Sequence, residues 1–177
     1  MMNRRDVIRC LGVAATLPWL SACARADAPS ARADLASAGG PALPTEYWRD
    51  KVSPAAWKVL FESDTERSGS SPLNDEHRQG TFVCAACYQP LFASEHKFES
   101  GTGWPSFTQG IPGRTRTKRD FVMLIPRTEY HCARCGGHQG HIFKDGPPPL
   151  GTRWCNNGLA LRFVPQGQLL PTLRGAA

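Results

Sequence analysis

The chain has 177 residues, room for one domain with its own core but not comfortably for two. Its formal charge of +6 falls to +3 without residues 1–26, which hold four Arg and one acid and leave 17 Lys+Arg against 14 Asp+Glu. That balance, with no basic run interleaved with aromatics, excludes an obvious nucleic-acid partner, and 17 Gly with 15 Pro predict a loop-rich fold that gains from a metal staple.

In chain order, Asn3-Arg4-Arg5-Asp6-Val7-Ile8-Arg9 resembles a twin-arginine export signal and leads into an apolar run at 10–20. That run is shorter than the roughly 20 residues a spanning helix needs. Leu20-Ser21-Ala22-Cys23 resembles a lipobox, which would make Cys23 a lipidated N-terminus, whereas Ala24-Arg25-Ala26 offers an Ala-x-Ala cleavage site. The expected location is therefore the bacterial periplasm or a lipid anchor at the membrane; a cytosolic N-terminus with a chance Arg pair is the alternative. Residues 1–26 are set apart as a signal and 27–44 as a disordered Ala/Ser/Gly/Pro tether. The domain is placed at 45–166, with a tail at 167–177.

Order begins at Thr45, which can cap a short helix through Tyr47, Trp48 and Arg49. Ser53-Pro54 supplies a cap and N1 proline for a second helix with Trp57, Leu60 and Phe61 on one face. Residues 74–79 suit one helical turn ended by Gly80. Short strands follow at 81–83 and 89–92 around a first Cys-x-x-Cys, then at 121–125 and 127–132, 140–143 and 159–164. The fold class is mainly β and antiparallel, with short N-terminal helices and a zinc knuckle.

Seven Cys stand at 10, 23, 84, 87, 132, 135 and 155. The odd count and paired spacing fit a disulfide framework poorly and metal binding well. Cys84, Cys87, Cys132 and Cys135 form two Cys-x-x-Cys pairs that can close a tetrahedral four-thiolate site for one structural Zn²⁺. The pairs lie 44 residues apart, so spacing leaves two alternatives open. One is a site of Cys132, Cys135, His138 and His141; the other is a pair of disulfides in an exported protein. A closed four-thiolate site has no open position, so chemistry must lie elsewhere. Cys155 remains, a spare thiol in the same stretch as two histidines, and hence a candidate nucleophile.

Residues 98–107 (FESGTGWPSF), 135–147 (CGGHQGHIFKDGP) and 153–163 (RWCNNGLALRF), with 65–92 and both Cys pairs, closely resemble peptide-methionine (R)-S-oxide reductases. The resemblance covers about residues 45–165. It implies two twisted antiparallel sheets, one structural Zn²⁺, no organic cofactor, and thiol-dependent reduction of the R epimer of methionine sulfoxide. By position, Cys155 is the nucleophile, and His141 and His138 bind or protonate the sulfoxide oxygen. Trp104 packs on the substrate methyl, Phe143 lines the pocket and Asn157 belongs to the site. Asp145 orients a histidine, and Arg153 lowers the Cys155 pKa. The implied partners are oxidised proteins and a thioredoxin-like or small-thiol reductant, with the protein a monomer that touches membrane only through Cys23.

Taken singly, these residues have plainer uses: Trp104 as core, Asn157 as a turn residue, Cys155 as an inert buried thiol. His77, His96 and His131 match no role. Thr102 stands where some members carry a resolving cysteine, so a sulfenic acid on Cys155 would be reduced by an external thiol. Trp154 replaces the more usual Tyr or Phe, and Asn156 an aliphatic. A zinc-stapled binding domain without turnover is the alternative function, though it leaves Cys155, the histidines and Trp104 unconnected. A reductase of free methionine sulfoxide is a rival enzyme.

Overall fold

A computed structural model describes residues 43–121 and 126–175. The expected export signal, Cys23, most of the tether and most of the strand at 121–125 lie outside these residues. All the described residues belong to a single unit.

The helical N-terminal side forms as its sequence asks. Ser53 Oγ accepts from the Ala56 backbone N–H at 3.2 Å, Pro54 occupies the first turn, and α1 (Pro54–Glu62) buries Ala56, Trp57, Val59 and Leu60. A 3-10 helix (Thr45–Lys51) precedes it and buries Trp48, but Thr45 is its first residue and no side chain caps it. The helical turn expected at 74–79 lies earlier, as a 3-10 helix at Pro72–Asp75. Ser71 caps it and Pro72 fits its first position, a pairing that outweighs the stop signal at Gly80.

Nine strands follow among the described residues: β1 (Gly80–Cys84), β2 (Pro90–Ala93), β3 (Lys97–Phe98), β4 (Ser106–Phe107), β5 (Thr115–Asp120), β6 (Arg127–Cys132), β7 (His138–Phe143), β8 (Arg153–Asn156) and β9 (Leu161–Pro165). They build two antiparallel sheets, ordered β2-β1-β9 and β3-β4-β8-β7-β6-β5. The strand expected at 159–164 begins two residues later, because Gly158–Ala160 forms a 3-10 turn.

Register divides the larger sheet into two chemically different faces. Phe107, Trp154, Ile142 and Thr128 lie side by side across β4, β8, β7 and β6. Phe107, Trp154 and Ile142 pack on the core there, where the Phe92 and Phe107 rings stack with centroids 4.1 Å apart and Tyr130 meets Trp154 edge-on, while Thr128 at the end of the row is exposed. The opposite face carries Ser106, Cys155, His141, Glu129 and Lys118 in one row across five strands. Trp154 and Asn156 therefore turn away from that row. Asn156 is fully buried, accepting from the Tyr130 hydroxyl at 2.7 Å.

Candidate active site and metal centre

Between Tyr130 and His131 the register of β6 against β7 shifts, leaving Gln139 without an opposite number. Residues three apart in a regular strand face opposite ways. The extra residue cancels one alternation and puts His138 and His141 on the same face. Gly140 sits at the bulge because nothing larger fits: an added Cβ would run into the Cys155 carbonyl oxygen.

The middle of that row of side chains opens into a cavity of about 190 Å³. Cys155 and His141, direct cross-strand neighbours, line it with Trp104, Phe143, Asn157 and Arg127. Trp104 is fixed by its indole N–H, which donates to the Glu66 carbonyl at 3.1 Å. The Asn157 amide is largely committed to backbone, donating to Gln139 O and accepting from Glu66 N–H, both at 3.1 Å. Arg153 lies over the Phe143 ring, 4.4 Å from its centroid.

Burial pushes the Cys155 thiol above its ordinary range, while the Arg153 charge and hydrogen bond, then the Thr102 hydroxyl, pull the other way. Arg153 thus acts in the expected direction, but desolvation outweighs it. Asp145 does not orient a histidine. It grips Arg153 through two bonds of 2.9 Å, and that pairing holds the Asp145 carboxyl below its usual range. The two are i, i+8 across the turn from β7 to β8, which sequence spacing does not reveal.

The histidines rest on other carboxylates. His141 Nε2 lies 2.8 Å from Asp120 Oδ2, and His138 Nδ1 lies 2.8 Å from Glu129 Oε1. Burial pushes both imidazoles below their ordinary range, against the pull of those carboxylates. His138 is 4% exposed and stands behind His141, ring centroids 5.5 Å apart, outside the lining of the Cys155 cavity.

The four remaining described cysteines converge on one another, and none of them lines that cavity. Cys84 and Cys135 sulfurs are 3.6 Å apart, Cys87 and Cys132 sulfurs 3.5 Å, and all four lie within 4.8 Å of one another. A tetrahedron of metal–sulfur bonds near 2.3 Å has edges of about 3.8 Å, so the set fits one Zn²⁺. A disulfide needs about 2.05 Å, and no pair among the described cysteines is bonded. Thiol hydrogen bonds, led by that to Cys132, and then burial push Cys84 well above the ordinary range, while bonds from Cys135, Cys84 and Cys87 hold Cys132 well below it. Such crowding is what a divalent cation relieves. The rival Cys/His site does not form, because both histidines are spent on carboxylates.

Residues 52–165 match the SelR domain. A protein of Bradyrhizobium diazoefficiens named peptide methionine sulfoxide reductase MsrB is 48% identical over 122 residues, 68% of this chain and 88% of that protein. Proteins of the same name from Agrobacterium fabrum and Methanosarcina barkeri are 44% and 46% identical over 119 residues, 67% of this chain and 88% and 84% of theirs. The chain belongs to this reductase family.

Within that family frame, sequence reasoning missed Asp120, Glu129, Arg127 and Glu66. Arg127 donates to Asp120 Oδ2 at 2.6 Å and lines the Cys155 cavity. Glu66, nearly buried, accepts from the Gly158 and Leu159 backbone N–H groups, so it ties the loop after Asn157 to the segment holding Trp104. One signal was legible. Arg127, Glu129 and His131 alternate along a single strand, which marks a polar face beside buried Tyr130.

Proposed function

We propose that the protein repairs oxidised proteins by reducing the R epimer of peptidyl methionine sulfoxide, with Cys155 as nucleophile. The carrying observation is that Cys155 and His141 face each other across β7 and β8 inside a cavity walled by Trp104. The Cys155 thiolate attacks the sulfoxide sulfur as a proton passes to the oxygen. That oxygen ends on Cys155 as a sulfenic acid, and methionine leaves as the thioether. Trp104 gives the soft S-methyl an aromatic wall, with Phe143 beside it. His141 supplies the proton, His138 supports it from behind, and Asn157 ties the end of β8, the strand that carries the nucleophile, to the Gln139 and Glu66 backbone. Cys84, Cys87, Cys132 and Cys135 hold one structural Zn²⁺, which staples β1 to β6 and takes no part in turnover.

Two thiols of an external reductant then return the sulfenic acid to thiol, releasing water and a disulfide. The support is Thr102: a hydroxyl beside Cys155 cannot form a disulfide, and every other described cysteine belongs to the four-sulfur cluster. A single turnover without reductant should leave the mass of a sulfenic acid on Cys155, and an internal disulfide would overturn this step. We further propose export, on the Arg4-Arg5 motif and the apolar run after it. Replacing both arginines with lysine (Arg4→Lys with Arg5→Lys) should abolish transport of a fused reporter, and undiminished transport would remove the twin-arginine route.

The deciding experiment offers separated R and S epimers of a blocked methionine sulfoxide with dithiothreitol. Wild type should consume R alone and Cys155→Ser neither. Failure of zinc-loaded wild type on both epimers would return the protein to a non-catalytic binding domain, a reading now disfavoured because Cys155, His141 and Trp104 share one cavity.

A further inference from the structure

The proposed chemistry asks something awkward of His141. It must give a proton to the sulfoxide oxygen, yet it sits in a site where burial favours the neutral ring. Among the described residues, the counterweight at contact distance comes from the pair of strands β5 and β6. Asp120, the last residue of β5, is itself buried and places Oδ2 at 2.8 Å from His141 Nε2. The same oxygen accepts from Arg127 at 2.6 Å, so a cation and an imidazole draw on one carboxylate atom. Asp120 and Arg127 are opposite one another in the β5–β6 ladder, which fixes this sharing in the backbone register.

We infer that Asp120 is the positioning residue for His141: it fixes the ring with Nε2 engaged and Nδ1 left for the substrate, and it stabilises the protonated ring that acts as acid, while Arg127 limits that stabilisation. The inference rests on His141 being the proton donor. A carboxylate on one nitrogen of an imidazole selects the tautomer and orientation of the other, as in hydrolytic triads. The charged and titratable groups facing His141 are Asp120 from β5, Arg127 and Glu129 from β6, His138 from β7 and Cys155 from β8. Glu129 is already engaged by His138 and by Lys118 at 3.1 Å, so Asp120 is the carboxylate in contact with the ring. The sign follows: losing the Asp120 charge lowers the pKa of His141, and losing the Arg127 charge raises it.

The test compares wild type, Asp120→Asn, Asp120→Glu and Arg127→Gln, each zinc-loaded, in two measurements. The first is the pH profile of kcat/KM for the R epimer. The second is the His141 pKa by NMR titration of its imidazole, which needs no activity. Asp120→Asn should move the His141 limb, which is the acid one because the Cys155 thiol titrates above it, and the NMR pKa down by about one unit, so that activity falls about tenfold above that limb and recovers on acidification. Asp120→Glu should restore part of the shift, and Arg127→Gln should move both readings up. Superposable limbs, or a loss equal at every pH, would overturn the inference by reducing Asp120 to a structural part. If instead wild type reduces neither epimer, the proposed function fails, and an unshifted NMR pKa in Asp120→Asn would separately sink the role given to Asp120.

Discussion

At the scale of single residues, burial in the cavity favours the neutral forms of both Cys155 and His141. Desolvation pushes the Cys155 thiol up and the His141 imidazole down, so the pair meets substrate largely uncharged. Iodoacetamide should accordingly alkylate Cys155 in the resting protein more slowly at neutral pH than a model thiol, with a rate that climbs through and beyond the ordinary thiol range. Arg153→Met removes the largest opposing influence, so it should raise the thiol pKa further and slow alkylation at a fixed neutral pH by about threefold or more. A rate that was already high and flat below neutral pH would contradict the burial argument. Trp154 and Asn156, neighbours of the nucleophile in sequence, point into the core, so their departure from the family pattern concerns packing with Tyr130 and Phe92.

At the scale of elements, one strand irregularity assembles the site. The extra residue at Gln139 gathers both histidines on the face that Cys155 shares, and Gly140 lets β8 approach. Gly140→Ala should cost about 3 kcal/mol in urea unfolding through overpacking against the Cys155 carbonyl. A cost near zero would mean that β7 and β8 separate freely, and the cross-strand contact would lose its claim to precision. The hairpin of β5 and β6 is the less expected contributor. Its strand at 115–120 reads TRTKRD, too polar to register as a strand from hydrophobic alternation, yet it delivers the carboxylate that meets His141.

At the scale of the whole molecule, the four-sulfur cluster and the chain's end act together. Arg174 donates from its backbone N–H to Cys87 O at 3.1 Å and from its guanidinium to Lys51 O at 2.6 Å, and it lies 4.1 Å from the Tyr88 ring centroid. It therefore clasps the first Cys pair from beyond the matched domain, whose limit is residue 165. Stripping the metal with a strong chelator should unfold the domain, since structural Zn²⁺ contributes on the order of 10 kcal/mol to such sites. Arg174→Ala should release zinc to a colorimetric chelator several times faster while leaving the fold of the loaded protein intact; an unchanged release rate would mean that the clasp does not guard the metal. The sequence by itself marked the two cysteine pairs that cluster, the lone Cys155, the mainly β antiparallel class and α1. Each rests on local spacing or on capping chemistry that acts within a few residues: paired Cys-x-x-Cys, a lone Cys within a motif, Ser-Pro at a helix start. Only the tertiary structure decided which carboxylate meets which histidine, that Asp145 holds Arg153, and that His138 stands behind His141. Those pairings depend on strand register, and a shift of one residue exchanges the two faces of a strand while leaving its sequence unchanged.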